Sequence, residues 1–64
     1  MWVQVKSAPN LIMAEMWKEL LEGEGIPTHI LPDPPRPGAS ASDKYNVYVA
    51  KEKLHVVAEV MRKI

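Results

Sequence analysis

The chain of 64 residues contains no cysteine and only a few aromatic residues. Without cysteine, the sequence excludes disulfide bonds, a thiolate nucleophile and a cysteine-based zinc site. A domain of this size buries only about 60% of the surface that its unfolded chain exposes, so its core is small. Good packing and self-association are the remaining sources of added stability.

An excess of charge of either sign is also absent, because eight Lys and Arg residues balance eight Asp and Glu residues. Nucleic-acid-binding domains usually carry a basic excess, so the composition disfavours that class. The apolar runs are far shorter than a membrane span. No basic segment followed by an apolar one begins the chain, so we expect no secretory leader. The sequence predicts one domain, residues 1–64, with no membrane contact and a cytoplasmic location.

The clearest local signals bracket a helix between Asn10 and Gly25. Asn10 is a good N-cap, because its side-chain oxygen can accept from a free N–H of the first turn. Gly25 is suited to the left-handed conformation that ends many helices, and the following Ile26-Pro27 favours extended backbone.

This helix has two apolar strips, which is more than one packing surface needs. The strip expected in the core contains Asn10, Ala14, Trp17 and Leu21, with Leu11 at its margin, and the solvent side contains Glu15, Lys18, Glu19 and Glu22, with Ile12 among them. The second apolar strip consists of Met13, Met16 and Leu20. We favour burial of this strip beneath a second helix. The alternative is contact with another subunit or partner, since methionine suits adaptable interfaces.

Three segments have the alternation typical of strands, namely Met1–Ser7, Ile26–Leu31 and Tyr45–Val49. The inward side chains are predicted to be Val3, Val5, Ile26, Thr28, Ile30, Tyr45, Val47 and Val49. The opposite face is predicted to carry Trp2, Gln4, Lys6, His29, Leu31, Asn46 and Tyr48. Pro27 cannot donate to a ladder, so we expect its strand at a sheet edge.

A second amphipathic helix is predicted over residues 50–64. Its expected core stripe is Leu54, Val57, Ala58, Met61 and Ile64, flanked by Val60. Its expected solvent side is Lys51, Glu52, His55, Glu59, Arg62 and Lys63.

The element order is therefore β-α-β-β-α, which indicates an α+β fold. A right-handed β-α-β crossover leaves a gap between the first two strands, and the third strand can fill it antiparallel to both. The two helices then share one face, as in a ferredoxin-like or PII-like plait without its final strand. The first strand is left as an open edge, which proteins usually cover or use.

Residues 32–44 form the one low-complexity segment, between the second and third strands. Its front half contains Pro34-Pro35-Arg36-Pro37, which favours a semi-rigid polyproline II stretch. Its Gly, Ala and Ser half is expected to be loosely held. The Pro-rich half is either a recognition segment for an aromatic groove or, as we favour, a stiff spacer. The length of the loop exceeds usual hairpin connections, which raises the weight of the recognition hypothesis.

Several short motifs occur together in the first helix and the turn after it, namely Ala8-Pro9-Asn10-Leu11-Ile12, Ala14-Glu15, Leu20-Leu21-Glu22 and Gly25-Ile26-Pro27. With Val47-Tyr48-Val49 and the helix that follows, they resemble a bacterial domain family of unknown function, described as prokaryotic signal-transducing proteins with a PII-like fold. The resemblance covers most of the chain but not residues 32–44. Ala50 stands where family members often have a proline that starts the second helix.

The resemblance implies a plait-like fold and a sensory or adaptor role, and it supplies no catalytic residues. PII proteins bind effectors and partners through a long loop between their second and third strands, which is the position of residues 32–44 here. This parallel is an analogy of fold. No residue of this chain matches a PII nucleotide site.

Catalytic and metal-binding patterns are absent from the sequence. His29 and His55 lack ligand spacing, and a metal would need further ligands such as Asp33 or Glu59. The carboxylates of the first helix lie on a solvated face, and no Ser-His-Asp or Gly-rich phosphate motif occurs. We expect no enzyme activity, no metal and no cofactor.

The sequence thus favours a non-catalytic binding or adaptor domain that forms a homodimer or binds a protein partner. The candidate interface residues are Trp2, Gln4, Met13, Met16, Leu20 and Tyr48. One alternative is a sensor of a nucleotide or metabolite that uses the 32–44 loop. A less favoured one is single-stranded nucleic acid stacking on Trp2 and Tyr48, with Lys6 as the one nearby cation.

Overall fold

The computed structural model describes residues 1–63 and has one sheet and one helical layer. The elements are β1 (Trp2–Ala8), α1 (Leu11–Gly23), β2 (Thr28–Pro32), β3 (Tyr45–Ala50), a 3₁₀ turn (Lys51–Lys53) and α2 (Leu54–Arg62). β3 lies between β1 and β2 and pairs antiparallel with both. The predicted α+β class, element order and strand order are confirmed. The molecule measures 32 × 24 × 15 Å.

Both ends of α1 are fixed by the residues that the sequence analysis identified. Asn10 is extended, and its side chain accepts from the backbone N–H of Met13 at 2.9 Å. At the other end Gly25 has φ +82°. The N–H of Gly25 donates to the carbonyl of Glu22, and the N–H of Ile26 donates to that of Leu21. This pair of bonds is a Schellman motif, which satisfies carbonyls that the helix leaves free.

The core lies between the sheet and the helices. Its buried residues are Ala8, Ala14, Leu21, Ile26, Tyr45, Val47, Val49, Val57 and Val60. Residues from α1, α2 and one face of β3 therefore share a single cluster, and the opposite face of the sheet is left without a covering layer. The inward alternation predicted for the second and third strands is confirmed.

β1 contains a bulge that the alternating pattern does not reveal. Gln4 lies opposite Tyr48, but Lys6 lies opposite Val47, so one extra residue is inserted between them. A bulge turns the side chains that follow it to the other face of the sheet. The prediction that Lys6 faces away from the helices is therefore wrong. Its ammonium group lies 4.9 Å from the centroid of the Trp17 ring in α1, and Ser7 takes the outward position.

The second helix differs from the prediction in its start and in its buried face. Ala50 belongs to β3, and the 3₁₀ turn precedes α2 without a side-chain cap. Val57 and Val60 are buried as expected, but Leu54 and Ala58 are exposed, so the predicted stripe is wrong at these two positions. A 3₁₀ turn winds more tightly than an α-helix, and α2 thus starts in a different rotational phase. The predicted core residue Ile64 lies outside the described residues.

Candidate interaction surfaces

Two surfaces of the molecule expose apolar side chains. The first is a shallow groove along α1, lined by Met13, Met16, Trp17, Glu19 and Leu20, which we call the α1 groove. The second is the face of the sheet opposite the helices, which we call the open sheet face. The strand register places on it the side chains of Trp2, Gln4, Ser7, His29, Leu31, Asn46, Tyr48 and Ala50.

The α1 groove is formed by the second apolar strip of α1. Met16 and Leu20 are 56% and 39% exposed, so α2 does not cover this strip and the favoured prediction of its burial is wrong. Trp17 packs against the core with one part of its surface and lines the groove with another. The groove therefore has a fixed aromatic side chain beside flexible, exposed methionines.

Carboxylates border the α1 groove on its solvent side. Glu15, Glu19 and Glu22 are exposed, and they make no salt bridge within residues 1–63, where the ion pairs are Arg36–Asp43 and Arg62–Glu59. α1 has no basic residue in its last turn, where the helix dipole is negative. Lys18 lies among these carboxylates, so the surface beside the groove combines apolar side chains with a net negative charge.

The open sheet face has a shallow depression at its centre. Trp2, His29, Leu31 and Tyr48 line it, and the rings of Trp2 and His29 meet in a T-shaped arrangement with centroids 4.1 Å apart. Beside the depression, the side-chain amide of Gln4 donates to Asn46 Oδ1 at 3.2 Å. These contacts hold the aromatic and amide groups in fixed positions on the surface.

No strand residue on the open sheet face carries a formal charge when histidine is neutral. The backbones of Asp33 and Lys44 pair just beyond the strand ends, at the border of the sheet. Lys6 is the residue that alternation predicted there, and the bulge in β1 places it on the helix side. Charged residues make up 25% of the chain, so their complete absence from this face sets it apart from the rest of the surface. The loss of Lys6 from this face also removes the one cation that the sequence placed near Trp2 and Tyr48, which weakens the nucleic-acid hypothesis further.

The two sheet edges are obstructed. Pro27 precedes β2 and Pro32 ends it, and proline has no N–H for a further strand. β1 has its bulge and the inward-pointing Lys6, both of which disfavour pairing with another strand. The predicted edge positions of β1 and β2 are confirmed, and the faces of the molecule are more open to a partner than its edges.

The 32–44 loop is held by its own polar groups. Asp43 Oδ2 accepts from the Ser40 N–H at 2.8 Å and from Arg36 Nη2 at 2.6 Å. The hydrogen bond from the Ser40 N–H lowers the pKa of the Asp43 carboxyl, and the positive charge of Arg36 lowers it further. Together they outweigh the opposite effect of desolvation, so the pKa lies below its ordinary value. The Tyr45 hydroxyl also donates to the Ser40 carbonyl. The prediction that the Gly, Ala and Ser half is loosely held is therefore wrong.

The Pro-rich half of the loop is exposed. Pro34, Pro35 and Pro37 face solvent, whereas Arg36 is engaged by Asp43 and by the carbonyl of Pro34. A turn follows at Pro37. The arrangement leaves little continuous extended chain for an aromatic groove to bind.

The two histidines lie on different elements of the fold. His29 contacts Trp2 on the open sheet face, and His55 is exposed on α2. Within residues 1–63, no group of three His, Asp or Glu side chains is placed to hold a metal ion. In the same part of the chain, no helix has both the length and the apolar character needed to cross a membrane.

The six predicted interface residues divide between the two surfaces. Trp2, Gln4 and Tyr48 lie on the open sheet face, and Met13, Met16 and Leu20 lie in the α1 groove. The candidate interface omitted His29 and Leu31, although alternation had placed both on the outer face. It also omitted Trp17, which the helical wheel assigned to the core strip, and Glu19, which it assigned to the solvent side.

The chain was compared with protein-family models, with curated proteins and with solved structures, and none of the three comparisons gives a match. The function of this domain is therefore argued from the two surfaces described above.

Proposed function

We propose that this protein is a non-catalytic binding domain that forms a homodimer through its open sheet face. The observation that carries the proposal is the absence of charge from that face. The arrangement of three strands and two helices also supports a ferredoxin-like plait lacking a final strand, of the PII-like kind that the sequence motifs resemble.

Burial of the open sheet face removes no charged side chain from water. Desolvation of ions is the main cost that makes charged surfaces poor interface centres, and interface cores are accordingly depleted in charge. The chain has no net charge, so two copies do not repel each other at long range. Trp2 and Tyr48 are also of the residue types that interface cores favour.

The shape of the molecule suits a face-to-face dimer. The chain is flat, with extents of 32 × 24 × 15 Å, and the depression lined by Trp2, His29, Leu31 and Tyr48 is shallow. A two-fold axis places the same patch of both copies in contact. Two sheets then pack face to face, with a helical layer outside each, and the depression at Trp2 and Leu31 becomes interior.

Sedimentation of the purified protein across a concentration series tests this proposal. Leu31, which is 46% exposed, is replaced by lysine in one variant. The matched control is Ile12→Lys. Ile12 is 68% exposed and lies on the solvent side of α1. We expect a dimer for the wild type and for Ile12→Lys, and a monomer for Leu31→Lys with an unchanged circular dichroism spectrum. A wild-type monomer at high micromolar concentration, or equal behaviour of the two variants, contradicts the proposal.

The alternatives receive less support from the geometry. In the loop, Arg36, Asp43 and the backbone of Ser40 bond to one another, so few polar groups are left to hold a nucleotide or metabolite. On the open sheet face, no cation accompanies the aromatic rings that could stack on bases, and phosphate contacts supply most of the affinity in that class.

A further inference from the structure

We infer that the α1 groove binds an amphipathic helix of a partner protein, one with an apolar stripe flanked by lysine or arginine. The inference goes beyond the proposed dimer. The groove lies in the helical layer and the open sheet face lies on the other side of the sheet, so both surfaces can be occupied at once.

The spacing of the groove residues fits a helical ligand. Met13, Met16 and Leu20 follow an i, i+3, i+7 pattern along α1 and span about 10 Å at 1.5 Å per residue. A stripe with this spacing packs against the matching apolar stripe of a second helix, as in the seam of a coiled coil. The span matches about two turns of a bound helix, which is enough for one apolar stripe.

The side chains in the groove are of a kind that accommodates such a stripe. Met13 and Met16 are flexible and polarisable, and methionine is common at surfaces that adapt to helical partners. Trp17 is held in place by the core on one side and by Lys6 on the other. The α1 groove therefore combines a fixed side chain, Trp17, with the adaptable side chains of Met13 and Met16.

The charges beside the groove select a basic partner. Glu15, Glu19 and Glu22 make no salt bridge within residues 1–63, and they outnumber Lys18, which lies beside them. Acidic side chains near the C-terminus of a helix add to the negative end of its dipole, at a cost in helix stability. Lysine or arginine side chains on a bound helix would compensate both the carboxylates and the dipole.

The same charges disfavour the other occupants. Two α1 grooves brought together by a two-fold axis would place the carboxylates of both copies side by side, and like charges across an interface are strongly unfavourable. In α2, Val57 and Val60 are buried, but Leu54 and Ala58 are exposed. A contact of this short stripe with α1 of a second copy would keep the Leu31→Lys variant associated, and that outcome would replace the partner helix with a second copy of this chain. Nucleic acid and anionic lipid are repelled.

The inference is tested with two synthetic helical peptides that share a leucine stripe and differ only in lysine or glutamate at the flanking positions. Each peptide is titrated into protein labelled with ¹³C at the methionine methyl groups. We expect the lysine peptide to shift the Met13 and Met16 methyl signals, with an affinity that falls as salt is raised. We expect the glutamate peptide to leave them unchanged.

Two variants and a matched control accompany the titrations. Met16→Asp and Glu19→Lys should each weaken binding of the lysine peptide, by about tenfold for the first and about threefold for the second. Glu59→Lys reverses a charge on α2 and should leave the affinity unchanged. The monomeric Leu31→Lys variant should still bind, which separates this inference from the proposed dimer. No methyl shift at millimolar lysine peptide, or equal binding of both peptides, overturns the inference.

Discussion

The ammonium group of Lys6 lies 4.9 Å from the centroid of the Trp17 ring, and this contact joins β1 to α1. It exists because the bulge in β1 turns Lys6 toward the helices. One local irregularity therefore has three effects: it clears charge from the open sheet face, obstructs the β1 edge and supports the aromatic wall of the α1 groove.

Replacement of Lys6 by glutamine should lower the free energy of unfolding by about 0.5–1 kcal/mol, the usual strength of an exposed cation–π contact. Lys6→Arg should retain most of this stability, because a guanidinium group also packs on an aromatic face. Urea unfolding measures the change, and Lys44→Gln is the control, since Lys44 is exposed and has no ring partner among the described residues. Equal losses for Lys6→Gln and Lys44→Gln would argue against the contact.

The two glycines at the end of α1 should respond oppositely to alanine. Gly25 has φ +82°, a conformation that costs a residue with a Cβ roughly 1–2 kcal/mol, so Gly25→Ala should be destabilising. Gly23 is the last helical residue and has open space around its Cα. Gly23→Ala should therefore be neutral or stabilising by up to about 1 kcal/mol. Thermal unfolding compares the pair, and a loss of stability in both variants would exclude backbone conformation as the cause.

Alanine substitutions of two adjacent leucines of α1 should differ in their effect on stability, because one leucine lies in the core and the other in the α1 groove. Leu21 is fully buried, and Leu21→Ala should cost about 2–5 kcal/mol through lost burial and a cavity. Leu20 is 39% exposed, and Leu20→Ala should cost less than about 1 kcal/mol. Chemical denaturation gives both values. Similar losses at the two positions would mean that the strip containing Leu20 is covered after all.

The 32–44 loop should loosen in acid. The pKa of Asp43 is lowered in the folded chain, so its ionised form favours the folded loop. The stability that ionised Asp43 adds to the folded loop is fully present above the ordinary aspartate pKa of about 4. It is lost as the pH falls through the lower pKa that Asp43 has in the folded chain. The Ser40 amide proton signal, followed by NMR, should change in this range.

Asp43→Asn should shift that amide signal at neutral pH and abolish its acid transition. Asp33→Asn is the matched control, because the Asp33 side chain makes no hydrogen bond within residues 1–63, and it should leave the transition in place. An acid transition that persists in Asp43→Asn would assign it to another group.

The parts of the fold that were predictable from sequence depend on short-range signals. Asn10 and Gly25 define α1 through bonds to residues one turn away, and the alternation in β2 and β3 needs only neighbouring side chains. The strand order follows from a β-α-β crossover that leaves room for β3 between β1 and β2. These features recur in many sequences for the same steric reasons, so they can be recognised without an alignment.

The incorrect predictions concern relations between distant segments. The bulge at Val5 is set by the pairing of β1 with β3, and the phase of α2 is set by the turn that leaves β3 at Ala50. Exposure of Met16 depends on where α2 lies, which no residue of α1 determines. The sequence was enough to predict the individual interface residues. That these residues form two separate surfaces, the α1 groove and the open sheet face, depends on how the helices pack on the sheet.

The loop between β2 and β3 also completes α1. The N–H of Leu11, the first residue of that helix, donates to the carbonyl of Ala41 at 2.9 Å, a partner that enters the chain only after β2. The first turn of α1 therefore belongs to the same cooperative unit as the connection between the last two strands. Hydrogen exchange at Leu11 should follow the opening of that connection rather than fraying of the helix. Shortening the loop should therefore expose the first turn of α1, which lies well before the loop in the sequence, to exchange.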